Sequence, residues 1–393
     1  MQWWDLPTDY FSSLLSTWLS TAELGRLDSA LCNKQGREIY LSVVSSPRFC
    51  TYGDSSKEIE DLALLWHIRR RVRLRSMVLG PNPDLNLRDE DSVIFNSLEL
   101  LDVFYRVRFE TIFAACCSSL RILRLGGTEV DLEAGLCAAL SCPLLESLSI
   151  LPLHKAIGGK KAVKSMLYKW GTLFASQPPL LHLHTLSCTH GDTSPRYLKK
   201  LLQVGPNITT VVLKDVSMEI SLVQMLTLKH PHITCLRLHA CPIPPESFKL
   251  LPSLRHLICL DLNGCPNLAE ESVVPIIQQN PSLREINLRH GRKLPSAVVM
   301  KIASNCPLLT SLDIAYCTSV KDDGMLLLAL KCPDLQDLQL CGCEFITDEA
   351  MVKLANCCPK LTSINIKDCV NITKFSCQAF EFMGVKPYRK KLL

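Results

Sequence analysis

Apolar residues recur along most of this chain at a near-constant interval. The clearest stretch runs from Cys306 to Cys369, where CPLLTSLDIAYC, CPDLQDLQLCGC and CPKLTSINIKDC follow one another. Their leading leucines, Leu309, Leu335 and Leu361, stand twenty-six residues apart. The template is three apolar positions, separated by two residues and then by one. Carried along the chain, it gives twelve frames, beginning at Leu74, Leu98, Leu120, Leu145, Leu183, Ile208, Ile233, Leu257, Leu283, Leu309, Leu335 and Leu361. The last four steps are each twenty-six; the others run from twenty-two to twenty-five, except for thirty-eight between Leu145 and Leu183. All thirty-six framework positions are apolar, whereas this composition would place about seventeen there by chance.

The spacing predicts local structure. The second and third apolar positions are two apart, so they share one side of a short strand: Leu312 and Ile314 point inward and Asp313 outward. Five frames then place a cysteine, Cys241, Cys265, Cys317, Cys343 and Cys369, where a small side chain with a weak donor fits beneath a loop. A helix follows. In the eleventh frame Thr347 is an N-cap, Asp348 and Glu349 suit the positive helix end, and Ala350, Met351 and Leu354 form an inner face. Pairs such as Cys142-Pro143, His230-Pro231, Asn280-Pro281, Cys306-Pro307, Cys332-Pro333 and Cys358-Pro359 end the helices, because proline lacks the amide donor that a continuing helix needs.

A period in the twenties built on L-x-x-L-x-L is the signature of a leucine-rich repeat. Stacked strands lie about 4.8 Å apart and packed helices about 8–10 Å apart, so the stack must bend toward the sheet. The fold expected over 74–376 is therefore an α/β leucine-rich-repeat solenoid, a curved horseshoe with a parallel sheet inside and helices outside. Outward strand residues of the later frames form the candidate concave binding face: Arg237, His239, Asp261, Glu285, Asn287, Ser311, Asp313, Asp337, Gln339, Ser363 and Asn365. Their mix of acids and amides with few aromatics fits a polar protein partner.

The flanks depart from the repeat. Within 1–48, Tyr10, Phe11, Leu14, Leu15, Trp18 and Leu19 share a helical face, Ser20 and Thr21 can cap a second helix carrying Leu24, Leu27 and Leu31, and a third short helix is expected over Arg37–Val44. Residues 49–73 read as a junction and N-terminal cap, with a loop at Gly53–Ser56, a helix over Glu58–Arg70 and a basic cluster from Arg69 to Arg75 that reads either as a nuclear-import or acidic-partner site or as a favourably charged helix end. The long step holds an insertion of about thirteen residues within 154–179, rich in lysine. The tail, 377–393, closes on a basic run.

Composition changes this picture little. Charged residues make up 21% and the net charge is +5, which points to neither nucleic acid nor membrane as a partner. No basic stretch leads into an apolar run after Met1, and no segment reaches the eighteen or so apolar residues of a membrane span. A reducing setting, cytoplasmic or nuclear, is expected, with the twenty cysteines as small apolar thiols and no cofactor or metal. Neither a phosphate loop, a G-x-S-x-G elbow nor an H-E-x-x-H occurs, and Cys341/Cys343 and Cys357/Cys358 lack zinc-site spacing. His182, His184, His190, His230, His232 and His239 fall on different parts of neighbouring frames and are expected at the surface or in loops.

Taken together, the chain resembles an F-box/leucine-rich-repeat protein. CPxLxxLxLxxC followed by ITDEAMVKLA resembles the cysteine-containing repeat subclass over 74–376. Residues 5–46 resemble an F-box, with Leu6, Pro7, Leu14, Leu15, Leu19, Leu24, Leu27 and Cys32 at its main positions. It is a divergent example, carrying Asn33-Lys34-Gln35-Gly36 where the family places a tryptophan. The resemblance implies a small all-α domain that docks through Leu6, Pro7, Leu14, Leu15, Leu19, Leu24 and Leu27 on a Skp-type adaptor, and through it on cullin and RING subunits. It also implies a repeat face that captures a protein substrate for ubiquitin transfer, with no covalent chemistry by the receptor itself. The alternative reading of the same residues is a non-catalytic repeat scaffold for signalling proteins, with the N-terminal helices as a cap.

Overall fold

The second apolar residue of every frame lies on a β-strand in the computed structural model, which describes residues 50–52, 73–79, 95–103, 115–126, 138–150, 179–189, 195–385 and 387–388. The chain divides into two compact units, Met1–Ser187 and Cys188–Leu393. In the first, strands β1 (Cys50–Tyr52), β2 (Arg73–Leu79), β3 (Leu100–Val103), β4 (Ile122–Leu125) and β5 (Ser147–Ile150) pair in chain order, all parallel. Strand β6 (Thr185–Thr189) spans the boundary. In the second unit, β7 (Thr210–Lys214), β8 (Cys235–His239), β9 (Cys259–Asp261), β10 (Glu285–Asn287), β11 (Ser311–Asp313), β12 (Asp337–Gln339) and β13 (Ser363–Asn365) again pair in order and in parallel. The fold is an α/β leucine-rich-repeat solenoid. Strand β1 precedes the first frame; Cys50, Thr51 and Tyr52 carry no frame leucine and give no periodic signal.

Burial follows the template. Every frame residue whose burial is described is at most 2% exposed, from Met77 to Ile366. Each such side chain is worth about 1.5–3 kcal/mol relative to exposure, and only a neighbouring repeat can supply the cover. In the second unit the returning helices are α1 (Pro195–Val204), α2 (Ile220–Lys229), α3 (Pro245–Phe248), α4 (Glu270–Gln279), α5 (Ser296–Asn305), α6 (Asp322–Lys331), α7 (Asp348–Cys357) and α8 (Lys374–Phe382). Thr347 caps α7 by accepting the Glu349 amide at 3.3 Å, and Ala350, Met351 and Leu354 are buried. Asp348 has a further role. It accepts the Thr373 amide at 2.8 Å and the Thr373 hydroxyl, and so holds the cap of the next helix; Asp322 does the same for Thr347.

Two ladders of side chains tie each repeat to the one before it. The thiols of Cys241, Cys265, Cys317, Cys343 and Cys369 lie 3.4, 2.9, 3.3, 3.2 and 3.0 Å from the carbonyls of Leu213, Leu238, Leu288, Ile314 and Leu340, the third frame residue of an earlier repeat. Gly291 stands at the equivalent place, where a Cβ would come 2.5 Å from Leu294 Cδ1 and 2.9 Å from the Leu288 carbonyl. The second ladder runs through the residues before the helix-ending prolines. Cys306 reaches the Asn280 carbonyl, Cys332 that of Cys306, and Cys358 that of Cys332. Asn280 does this most fully: its Nδ2 donates to Leu254 O at 2.8 Å and Ile276 O at 2.9 Å, and its Oδ1 accepts the Leu257 amide at 2.9 Å.

His230 belongs to the same ladder; it lies in the loop after α2, as expected, but buried rather than at the surface. It is 1% exposed, and its Nε2 lies 2.9 Å from the Leu202 carbonyl, so that nitrogen carries the proton. Burial depresses its pKa below the ordinary histidine value. Several expectations fall outside the described residues: the helices of 1–48, the Gly53–Ser56 loop, the Glu58–Arg70 helix, the side chains of the 69–75 cluster, nearly all of the 154–179 insertion, His190 and the basic end of the tail.

Replacing Asn280 by leucine leaves the Leu254 carbonyl and Leu257 amide without this partner and should cost about 2–4 kcal/mol. Asn280→Cys, which copies the neighbouring repeats, should cost about half as much. The urea-unfolding midpoints of the full chain check both; equal midpoints for Asn280→Leu and the parent would remove the ladder's energetic role.

Candidate protein-docking face

Parallel pairing sets the outward residues of the second unit's strands in rows. The register matches Cys235, Cys259, Glu285, Ser311, Asp337 and Ser363 in one row, and Arg237, Asp261, Asn287, Asp313, Gln339 and Asn365 in the next. His239 pairs with Lys214 in a third. A shallow depression of about 400 Å³ brings together Arg237, His239, Asp261, Glu285, Asn287, Ser311, Asp313, Asp337 and Gln339, all of them expected on the face. Ser363 and Asn365 lie on β13 beyond its lining.

The polar groups are mutually paired. Arg237 Nη2 is 3.1 Å from Glu285 Oε2, His239 Nε2 is 3.3 Å from Asp261 Oδ2, and Arg289 Nη1 is 3.9 Å from Asp313 Oδ2. Asn287 Nδ2 donates to Asp261 Oδ2 at 3.1 Å, and Gln339 Nε2 to Asp337 Oδ1 at 2.8 Å. Four residues of the second row also end their strands. Asp261, Asn287, Asp313 and Asn365 each accept, through Oδ1, the amide two residues on, at 2.9, 3.0, 2.9 and 3.1 Å. These are Asx turns, in which the side chain supplies the acceptor that the departing strand lacks. Oδ1 of each is thus structural, which leaves Oδ2 of the two aspartates and Nδ2 of the two asparagines facing outward.

Asp313 is disfavoured as an anion. Burial raises its pKa above the usual carboxylate value, and the negative charges of Asp261 and Asp337 add to this, against the Ala315 amide and the Arg289 cation. In the first unit Asp102 behaves similarly. It is 3% exposed, its Oδ2 meets Arg124 Nη1 at 3.1 Å, and burial again raises its pKa while Arg124 opposes.

One cluster escaped the strand pattern. The residue before each ladder cysteine, or its equivalent, is left-handed: Asp215, Ala240, Gly264, His290, Tyr316, Gly342 and Asp368 have φ between 50° and 70°. His290 and Tyr316 follow the C-terminal ends of β10 and β11, and their rings stack at 4.9 Å, with Arg289 5.1 Å from the Tyr316 ring centre. Gly342 completes it, since a Cβ there would come 2.6 Å from Tyr316 Cδ1. The signal available in sequence was the shared frame offset of His290 and Tyr316. Among the described residues no group of three or more His, Cys, Asp or Glu could hold a metal, and no helix is long and apolar enough to cross a membrane. The adaptor-docking candidates, Leu6, Pro7, Leu14, Leu15, Leu19, Leu24 and Leu27, lie outside the described residues.

Comparison with known proteins agrees with this architecture. A family model for the leucine-rich repeat matches residues 305–329, which hold β11 and most of α6. No curated protein matches the chain. Among solved structures, the chain is similar to one in the crystal structure of the Rad7 and Elc1 complex in yeast, at 16% identity and a TM-score of 0.55, over 97% of this chain and 85% of that one. The complex of TLR13 with ssRNA13 is a looser likeness, at 15% identity and a TM-score of 0.45 over 80% of this chain and 41% of that one, too loose to bear on function. At 16% identity, what the chain shares with the Rad7–Elc1 structure is the fold.

Proposed function

We propose that this chain is the substrate-recognition subunit of an SCF-type (Skp-cullin-F-box) E3 ubiquitin ligase, in the cytoplasm, the nucleus or both. The leucine-rich-repeat fold is a protein-interaction scaffold, and a row of polar side chains standing on a fully buried apolar frame is the observation that carries the reading. The F-box-like residues of 5–46 supply the second support. The similar fold in the Rad7–Elc1 structure, a complex of two proteins, is consistent with an adaptor-bound arrangement. In this reading the substrate lies on the sheet face of the second unit and the adaptor on the N-terminal helices. The chain performs no covalent transfer. It raises the effective concentration of substrate lysines near a charged conjugating enzyme.

The full chain is expected to co-purify with a Skp-type adaptor, and Leu14→Asp with Leu15→Asp to weaken that association at least about tenfold. An intact protein that binds no adaptor would overturn the ligase reading. A chain starting at Phe49 that aggregates would favour the scaffold reading, in which the N-terminal helices serve as a cap.

On the face, Asp313→Asn keeps the turn acceptor, as Asn287 and Asn365 show, and removes only the charge. Because the native carboxyl titrates above its unfolded value, the native state holds the extra proton; stability contributed by this group falls as pH rises through that range. Asp313→Asn should therefore match or exceed the parent at pH 7, whereas Asp313→Ala should lose about 1 kcal/mol. Thermal unfolding at pH 5 and 7 distinguishes them. If the face binds substrate, proteins captured by the parent are lost with Asp313→Asn and Asp337→Asn combined while stability is kept.

A further inference from the structure

Cys235 and Cys259 differ from the cysteines of the two ladders. They occupy the same frame position, two residues after Ile233 and Leu257, and so point to the solvent-facing side. They are matched in register on adjacent parallel strands, where Cα atoms lie about 4.8 Å apart, within the roughly 4.4–6.8 Å that a disulfide spans. Cys235 is half-buried and Cys259 7% exposed. Arg237, two residues beyond Cys235, donates from Nε to the Cys259 sulfur at 3.3 Å while its Nη2 holds Glu285 at 3.1 Å. A cation is therefore fixed over the pair by contacts on both sides.

This arrangement makes one sulfur a nucleophile. The hydrogen bond from Cys259 and the charge of Arg237 bring the Cys235 thiol down to about 7, against burial and the negative charges of Glu285 and Asp261. Cys259 is pushed up, so it keeps its proton. In the ladders burial is the largest cause and drives the thiols the other way, to about 12 at Cys306, Cys317 and Cys358 and about 11 at Cys332 and Cys369. Thiolate is the reactive form, and a thiol titrating near ambient pH attacks best.

We propose that Cys235 and Cys259 form an oxidisable dithiol on the docking face, a modification site for peroxides. The Cys235 thiolate attacks one oxygen of hydrogen peroxide, the O–O bond breaks, and the departing hydroxide takes up a proton to leave as water. Cys235 is then a sulfenic acid. The Cys259 sulfur attacks the Cys235 sulfur, the S–S bond forms, and the sulfenic hydroxyl leaves with the Cys259 proton as a second water. Two thiols have lost two electrons and two protons, and one peroxide has become two waters. The disulfide removes the Cys235 thiolate charge beside Arg237 and leaves Glu285 as the anion that Arg237 hydrogen-bonds.

The test uses the full chain. With limiting iodoacetamide at pH 7, Cys235 should alkylate about tenfold or more faster than the partly exposed helix cysteines Cys357 and Cys377. Brief treatment with hydrogen peroxide, followed by mass spectrometry without reduction, should give a Cys235–Cys259 linked peptide lighter by two hydrogens. With Cys259→Ser, the same treatment should leave Cys235 as a sulfenic acid trapped by dimedone. Arg237→Met should slow alkylation of Cys235 and move its pH midpoint upward, a shift that loss of packing alone would not produce. Alkylation of Cys235 no faster than of Cys357, or peroxide leaving both thiols free in a folded chain, overturns the proposal.

Discussion

A carbonyl oxygen has two lone pairs, and both lone pairs of the Leu288, Ile314 and Leu340 carbonyls are used in the core. In the regular frames, the third apolar residue accepts first from an amide three residues on, which closes a turn: Cys317 to Ile314 at 3.0 Å and Cys343 to Leu340 at 2.9 Å. It accepts next from the thiol of the following repeat. The turn requires a left-handed residue at its third position, which Tyr316 and Gly342 supply. A thiol suits the second bond because it is small, mostly apolar and still a donor. The carbonyl, the turn and the thiol thus fix the length of chain between successive strands, and that length is the period.

The other ties follow the same rule. Asn280, His230 and the helix-end cysteines join one repeat's side chain to another's backbone, and Asp322 and Asp348 hold the amide and hydroxyl of the next helix cap. Because the bonds of Asn280, His230 and the cysteines run to backbone, they constrain spacing without specifying neighbouring side chains. The outer rows are consequently free to vary, within the limit set where Asp261, Asn287, Asp313 and Asn365 close their own turns. A sheet built in this way separates what holds it together from what it shows to a partner.

The frame was legible because burial repeats with the chain's own period. Leu312, Leu338 and Ile364 are buried neighbours on adjacent strands, as their spacing requires. The outward residues were legible for the same reason, since alternation alone sends Asp313 and Asp337 to the other side. What alternation does not carry is where a side chain's second atom goes. Nothing in the string separates Asp313, which turns back on Ala315, from Asp337, which bonds Ser311 and Gln339. The burial of His230 was not foreseen, because the histidines were read together as falling on different parts of neighbouring frames; alignment with Asn280 and Cys306 before a proline was the signal that it is buried. Cys235 and Cys259 shared a frame position in plain view, but only the register shows the two sulfurs side by side beneath one guanidinium.

Aspartate and asparagine differ by one atom pair and present the same Oδ1 to the amide two residues on. The second row uses both, Asp at 261 and 313 and Asn at 287 and 365, with bonds of nearly equal length. Single-nucleotide exchange between these two residues can therefore rewrite the electrostatic address of the surface while the scaffold beneath is undisturbed. Related chains could diverge in what they capture long before they diverge in shape.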